Sequence, residues 1–301
     1  MDEPWSVPLF RHLISNDECM TSTDDASMQG TVVVLTGASS GIGAAGAREL
    51  ADRGATLAVV GRNEARTRDV ALQCGPNATP FVADFASLAS VQTLGASLLE
   101  KYPNIDVLIN NAGFIAGRFE RTVDGIESTM AVNHVAPFLL TQLLADRLRT
   151  NPAGRVITTS SVAHASARLH VEDLDGERSW RAFKAYSQSK LANVLFTREL
   201  ARRWPGVAVN CFHPGVVDSG FGNSNPMLKL FMPVARLVLI GPEKGARTMV
   251  QLASSTETGA NAVSGEYWVR GKVSKTSDAG NDMAVAARLW ERTEELVAPF
   301  L

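Results

Sequence analysis

Cysteine is scarce: Cys19, Cys74 and Cys211 are the only three in 301 residues, and no two form a C-x-x-C pair. A scattered, odd set argues against a disulfide framework or a zinc site and fits a reducing compartment. The five histidines show no metal-ligand spacing, so no metal is expected. A basic excess is missing too, with 29 Lys plus Arg against 31 Asp plus Glu and a net charge of −2. Nucleic-acid-binding domains carry a strong basic bias, so that partner class is set aside. No window approaches the roughly 18 apolar residues of a membrane span. Met1–Gly30 is acidic and lacks the apolar run of a signal peptide. A cytoplasmic protein without a transmembrane anchor is the expectation. What is present, 45% hydrophobic and 20% charged residues, suits a globular protein with a sizeable core.

This length accommodates one large α/β domain. Met1–Met28, with Pro4, Pro8 and the polar run Thr21–Asp25, reads as an irregular lead-in. The expected organisation is therefore a lead-in over 1–29 and a single domain over 30–301. From Thr31, short apolar runs alternate with longer helical stretches. The runs Val32–Leu35, Leu57–Val60, Thr79–Val82, Val107–Asn110, Val156–Thr159 and Val207–Cys211 read as strands buried on both faces. Ile42–Arg53, Leu88–Tyr102 and Val123–Leu148 read as helices. This alternation predicts an α/β fold: a single-domain, doubly wound parallel sheet of Rossmann type with helices on both faces.

The first strand runs directly into Thr36-Gly37-Ala38-Ser39-Ser40-Gly41-Ile42-Gly43, and a helix follows. Glycines allow a tight turn and close approach to a pyrophosphate, and the helix start offers free N–H groups and a positive dipole end. Strand, glycine turn, helix is the context that gives a glycine motif weight. The second strand ends Val59-Val60-Gly61-Arg62-Asn63 without the carboxylate that would select NAD through its ribose hydroxyl. Arg62 can fork onto a 2′-phosphate instead, which points to NADP(H).

Tyr186 and Lys190 stand four residues apart in a helical stretch, so phenol and ammonium share a face. A free phenol titrates near ~10, and a nearby cation is expected to lower that value. Tyr186 then serves as general acid for ketone reduction or base for alcohol oxidation. Upstream, the strand from Arg155 ends in the hydroxyls of Ser160 and Ser161.

Together these segments resemble the short-chain dehydrogenase/reductase family, from about Gly30 to the C-terminus. The resemblance implies that Asn110-Asn111-Ala112-Gly113 lines the cofactor and that Asp84 contacts the adenine, with Phe85 where the family usually has Leu. It implies Ser161 as the catalytic serine, with Ser160 as rival, and Asn133 as a fourth catalytic position holding a water that links Lys190 to solvent. His134 beside it reads as structural. In His213-Pro214-Gly215-Val216-Val217-Asp218-Ser219, the resemblance places Pro214, Gly215 and Val217 against the nicotinamide, with Ser219 where Thr is usual. Ser187–Phe196, the long Ala163–Ala185 insert with Leu174 and Trp180, and Gly265-Glu-Tyr-Trp268 look most like the retinol dehydrogenase and WW-domain oxidoreductase branch. That branch implies a lipophilic ketone, aldehyde or alcohol as substrate, with no retinoid specified and a homodimer as the candidate assembly. A lid is expected at about 219–241, with Phe231 and Met232 on the substrate. The competing reading is a catalytically idle NADP(H)-binding sensor or scaffold, but such proteins tend to lose the Tyr, Lys or Ser. Epimerase and enoyl reductase relatives have other spacings.

Overall fold

The structure, a computed structural model, describes residues 26–215, 240–257 and 262–301. Strand β1 (Val32–Thr36) is buried from Val33 onward. β-Branched side chains favour extended backbone, and burial on both faces calls for such an unbroken apolar run. β2 (Thr56–Gly61) repeats the pattern, whereas β3 (Ala78–Val82) is partly exposed. β3 lies at the sheet edge, where Pro80, lacking an N–H, interrupts no ladder. β4 (Val107–Asn110), β5 (Arg155–Thr159) and β6 (Ala208–His213) are buried throughout.

Among the described residues, eight strands form one sheet in the order β3-β2-β1-β4-β5-β6-β7-β8. The last two were not expected from the sequence: β7 (Tyr267–Val269) pairs parallel to β6, and β8 (Lys272–Ser274) returns antiparallel. Arg270 and Gly271 make the turn with φ of 51° and 74°. Both angles are positive, the geometry that matches the twist of a two-residue hairpin. Strand order reverses between β1 and β4, and that switch point opens a crevice at the carboxyl ends of the strands.

Helices α1 (Gly41–Asp52), α2 (Glu64–Gln73), α3 (Leu88–Lys101), α4 (Ala136–Leu143), α5 (Ala182–Arg203), α6 (Pro242–Ser254) and α7 (Met283–Val297) flank the sheet. α1 and α6 pack on one face so closely that a Cβ at Gly46 would lie 2.3 Å from Met249 Cε. On the other face Trp290 of α7 meets Phe138 at 4.8 Å and Phe196 at 6.0 Å between ring centroids. Met28, within the expected lead-in, is already packed in the core and donates its amide to Arg53.

The expected helix over Val123–Leu148 is corrected. It starts at Ser128, where the Glu127 carboxylate accepts the Met130 amide hydrogen as a cap. A π-helical turn follows over Ala131–Val135, and the chain breaks again at Leu144. Pro137 has no amide hydrogen for the carbonyl four residues back, so the regular ladder cannot run through this point.

Candidate active site

The glycine loop is built by close approach. A Cβ at Gly43 would lie 2.2 Å from the Gly37 carbonyl oxygen, and one at Gly37 would lie 2.8 Å from Ala112 Cα. Thr36 Oγ1 accepts the amides of Asn111 at 2.9 Å and Ala112 at 3.0 Å, and Asn111 Nδ2 donates to Thr36 O at 2.9 Å. These bonds lock the end of β1 to the end of β4. No side chain caps α1, so the amides of its first turn are left for a ligand.

Above this floor lies a cleft of about 410 Å³. Gly37, Ser39, Ser40, Gly41, Ile42 and Gly43 line it, as do Asn111 and Gly113. At the β2 end stand Arg62, Asn63 and also Arg66, which the sequence reading missed although it lies one helical turn beyond Arg62. Asn63 caps α2, accepting the Arg66 amide at 3.0 Å. Gly61 leaves no room for a carboxylate: a Cβ there would lie 2.4 Å from Thr67 Oγ1. Asp84 and Phe85 reach the cleft beyond β3, with Asp84 Oδ1 accepting the Ala86 amide and Phe85 buried. Ala112, between Asn111 and Gly113, donates its amide to Thr36 Oγ1 and is not itself on the cleft wall.

At the other end β5 delivers both serines, and their hydroxyls diverge. Ser160 Oγ donates to the Lys190 carbonyl at 2.8 Å. Ser161 starts a 3₁₀ turn over Val162–Ser166, and its hydroxyl is hydrogen-bonded to the Tyr186 side chain. Helix α5 starts at Ala182, which puts Tyr186 in its second turn and Lys190 one turn further on the same face. Lys190 Nζ lies 5.6 Å from the Tyr186 ring centroid and donates to Thr159 O at 3.1 Å.

The electrostatics differ from expectation. Burial pushes the Tyr186 phenol up to about 12, and only the Ser161 hydrogen bond opposes it. Burial also pushes the Lys190 ammonium down to about 8. The phenol therefore keeps its proton at neutral pH, because desolvation of the anion outweighs the Ser161 hydrogen bond. Such a phenol is a held proton donor.

Asn133 does not line the cleft but supports it. Its side chain accepts the Phe114 amide at 2.9 Å and donates to Phe114 O at 3.0 Å and Ser189 Oγ at 2.9 Å. A Cβ at Gly113 would lie 3.1 Å from Asn133 Oδ1 and 3.5 Å from Lys190 Nζ, so the two side chains converge on this glycine. His134 is structural: fully buried, pushed down to about 4, and 3.1 Å from Thr293 Oγ1.

β6 ends at His213, with Pro214 and Gly215 on the cleft wall. Gly215 has φ of +92°, and a Cβ there would lie 2.6 Å from Ile240 Cδ1. Val217, Phe231 and Met232, with most of the expected lid, lie outside the described residues. Phe114, Val132 and Thr159 also line the cleft without having been singled out from sequence, as does His213 of the His213-Pro214-Gly215 motif. No helix among the described residues is long and apolar enough to cross a membrane.

Several known proteins are similar to this chain. The short chain dehydrogenase family model matches residues 31–227. DnrU of Streptomyces sp. (strain C5), named provisionally as a daunorubicin C-13 ketoreductase, is 39% identical over 299 residues, covering 97% of this chain and 98% of that protein. Retinol dehydrogenase 14 of Homo sapiens is 38% identical over 300 residues, covering 91% of this chain and 88% of that protein. Among solved structures, the Pseudomonas aeruginosa RhlG/NADP active-site complex aligns with a TM-score of 0.65 at 28% identity, covering 81% of this chain and 95% of that one.

Proposed function

The chain belongs to the short chain dehydrogenase family, and from that premise we propose that it reduces lipophilic ketones or aldehydes with NADPH, Tyr186 giving the proton. The coarser statement needs no proposal: it is an oxidoreductase of alcohol and carbonyl groups that uses a nicotinamide dinucleotide. The observation that carries the finer one is the hydrogen bond between Ser161 and Tyr186 beside Lys190.

The close-packed glycines and uncapped first turn of α1 suit a pyrophosphate, and the cleft floor admits no added Cβ. When bound, the cofactor supplies the hydride. Ser161 and Tyr186 then offer two hydroxyls to one carbonyl oxygen, stabilising the charge that builds there. Tyr186 holds its proton until that oxygen takes it. Lys190 keeps a cation behind the phenol, and Asn133 fixes the Gly113–Phe114 backbone beside it. With Pro137 giving no amide, the Asn133 carbonyl is the atom to hold a water leading from Lys190 to solvent. Pro214 and Gly215, on the cleft wall, serve the nicotinamide end of the site in this reading.

NADP(H) is preferred over NAD(H) because Gly61 excludes a carboxylate at the end of β2 while Arg62 and Arg66 face the same end of the cleft. Lipophilic substrates fit the apolar side chains of Phe114 and Val132, and two of the named relatives are named for daunorubicin and for retinol. Residues 219–241 serve as the lid in this reading, on the apolar run from Met227 to Ile240, with Phe231 and Met232 facing substrate. Residues 1–29 form a lead-in to one domain over 30–301, the setting is cytoplasmic, and a homodimer is the assembly to test. An idle sensor is disfavoured, since Ser161, Tyr186 and Lys190 stand together.

The test follows NADPH absorbance with a panel of lipophilic aldehydes and ketones, 4-nitrobenzaldehyde among them. Tyr186→Phe should lower turnover by at least ~100-fold, the usual scale of acid–base catalysis, with little change in NADPH affinity. Undiminished turnover in that variant, or NADPH binding without turnover of any carbonyl, overturns the reading.

A further inference from the structure

The turn after Ser161 carries a histidine that lines no part of the cleft. His164 is 3% exposed in the Val162–Ser166 turn. Its Nδ1 lies 2.6 Å from the Ser161 carbonyl oxygen, which also accepts the His164 amide at 3.1 Å. Its Nε2 accepts the Ser277 amide hydrogen at 3.4 Å. A ring nitrogen that accepts carries no proton, so the neutral imidazole holds its proton on Nδ1 and donates it to Ser161. Burial favours that neutral form and outweighs the Ser161 hydrogen bond, which favours the charged one, while Arg198 acts in the direction of burial.

Tyr267 of β7 closes over the ring edge-on, 4.8 Å between centroids, and is itself 2% exposed. Ser277, at the far side, caps the Asp278–Asn281 turn through its hydroxyl. The Gly265–Trp268 segment, which drew attention in the sequence only by likeness, thus has a physical task.

We propose that His164, clamped by Tyr267, is the positioning residue for Ser161. It rests on the reading of Ser161 as the hydroxyl that meets the substrate carbonyl. Without the Nδ1–H bond, the Ser161 carbonyl keeps the His164 amide, and its hydroxyl keeps the Ala163 amide at 3.2 Å and the Tyr186 side chain. Displacing a reacting group by about 1 Å costs on the order of 100-fold in rate.

The experiment compares His164→Leu, which fills the space without a donor, with His164→Asn, whose amide can donate from near the Nδ1 position. With the most active carbonyl of the panel, the Leu variant should lose about 10- to 100-fold in kcat. KM and NADPH affinity should hardly move, and the Asn variant should regain most of the rate. In a Ser161→Ala background the Leu substitution should cost nothing further, because two residues acting through one hydroxyl are not additive. Independently of activity, nitrogen-15 histidine NMR should show His164, assigned by its loss in His164→Asn, as the neutral Nδ1–H tautomer. Full turnover in the Leu variant beside a crippled Ser161→Ala, additive losses, or an Nε2–H tautomer overturns the inference. Should the Leu variant not fold, the tautomer decides. Full turnover in Ser161→Ala removes the proposed function and this inference together.

Discussion

The hydroxyls of Ser161 and Tyr186 are hydrogen-bonded to each other, while Ser160, one residue earlier, is turned onto the Lys190 carbonyl. Only one of the two serines can therefore face a carbonyl substrate beside the phenol. Ser161→Ala is expected to lower kcat by about 100- to 1,000-fold, as loss of one oxyanion donor does. Ser160→Ala should leave kcat nearly intact and lower stability by about 0.5–1.5 kcal/mol, the net worth of one hydrogen bond. Steady-state kinetics and thermal melts of both variants check this, and the reverse ranking moves the assignment by one residue.

Lys190 sets the pH dependence. Its ammonium is held down to about 8 by burial, so it is charged below that pH and neutral above it. The value of kcat/KM for NADPH, which reports the free enzyme, should be flat through neutral pH and fall above about 8. Lys190→Arg cannot deprotonate in this range, so the falling limb should move up even though the guanidinium lowers the absolute rate. Stability carries the opposite sign. The folded pKa lies below the unfolded value of roughly 10.4, so the unfolded chain binds more protons between the two. The cost of burying the charge is fully present below about 8 and fades as pH rises toward the unfolded value. An unchanged limb in Lys190→Arg assigns the titration to another group.

Arg62 and Arg66 stand four residues apart at the β2 end of the cleft, while Glu64 and Arg68 between and beyond them pair with each other at 2.8 Å. Arg62→Glu should weaken NADPH binding by about 10- to 100-fold, the scale of one lost charge-assisted bond, and leave NADH less affected. Arg66→Glu should act in the same direction, and the double substitution should bring the two affinities together. Fluorescence titration with each cofactor measures this. A wild-type preference for NADH reduces both arginines to surface residues.

The legible parts of this molecule are those where spacing dictates geometry. The buried strands betray themselves as unbroken apolar runs, and Tyr186 and Lys190 share a face because four residues make a helical turn. Ser160 and Ser161 could not be separated by alternation along a strand, because Ser161 leaves the strand for a 3₁₀ turn. β7 and β8, three residues each, are too short to show a period. The π turn at Ala131–Val135 hides within a sequence that reads as ordinary helix, although Pro137 marked the place. The burial that raises the Tyr186 phenol is not legible for a different reason: desolvation belongs to the packed fold and leaves no trace in residue spacing.

Asn133 offers the sharpest separation of support from chemistry. Its amide makes three bonds, two to the Phe114 backbone and one to Ser189, which in turn donates to the Tyr186 carbonyl at 2.8 Å. Asn133→Ala leaves the Phe114 amide and carbonyl without these partners inside the protein. These groups are part-buried and border the cleft, so each lost bond costs nearer the net worth of about 0.5–1.5 kcal/mol, and the variant should lose roughly 1–3 kcal/mol of stability. Gly113→Ala disturbs the same point from the opposite side. Its methyl would sit 3.1 Å from Asn133 Oδ1, tight enough to shift that side chain by a few tenths of an ångström, and in ordinary contact with Lys190 Nζ at 3.5 Å. The alanine at 113 should therefore lower turnover more than stability, with a Tm close to that of the parent. Denaturant melts and kcat for the two variants form the comparison. Equal stability losses with unchanged kcat would show that Asn133 and Gly113 only hold the turn together and that the path from Lys190 to solvent runs elsewhere.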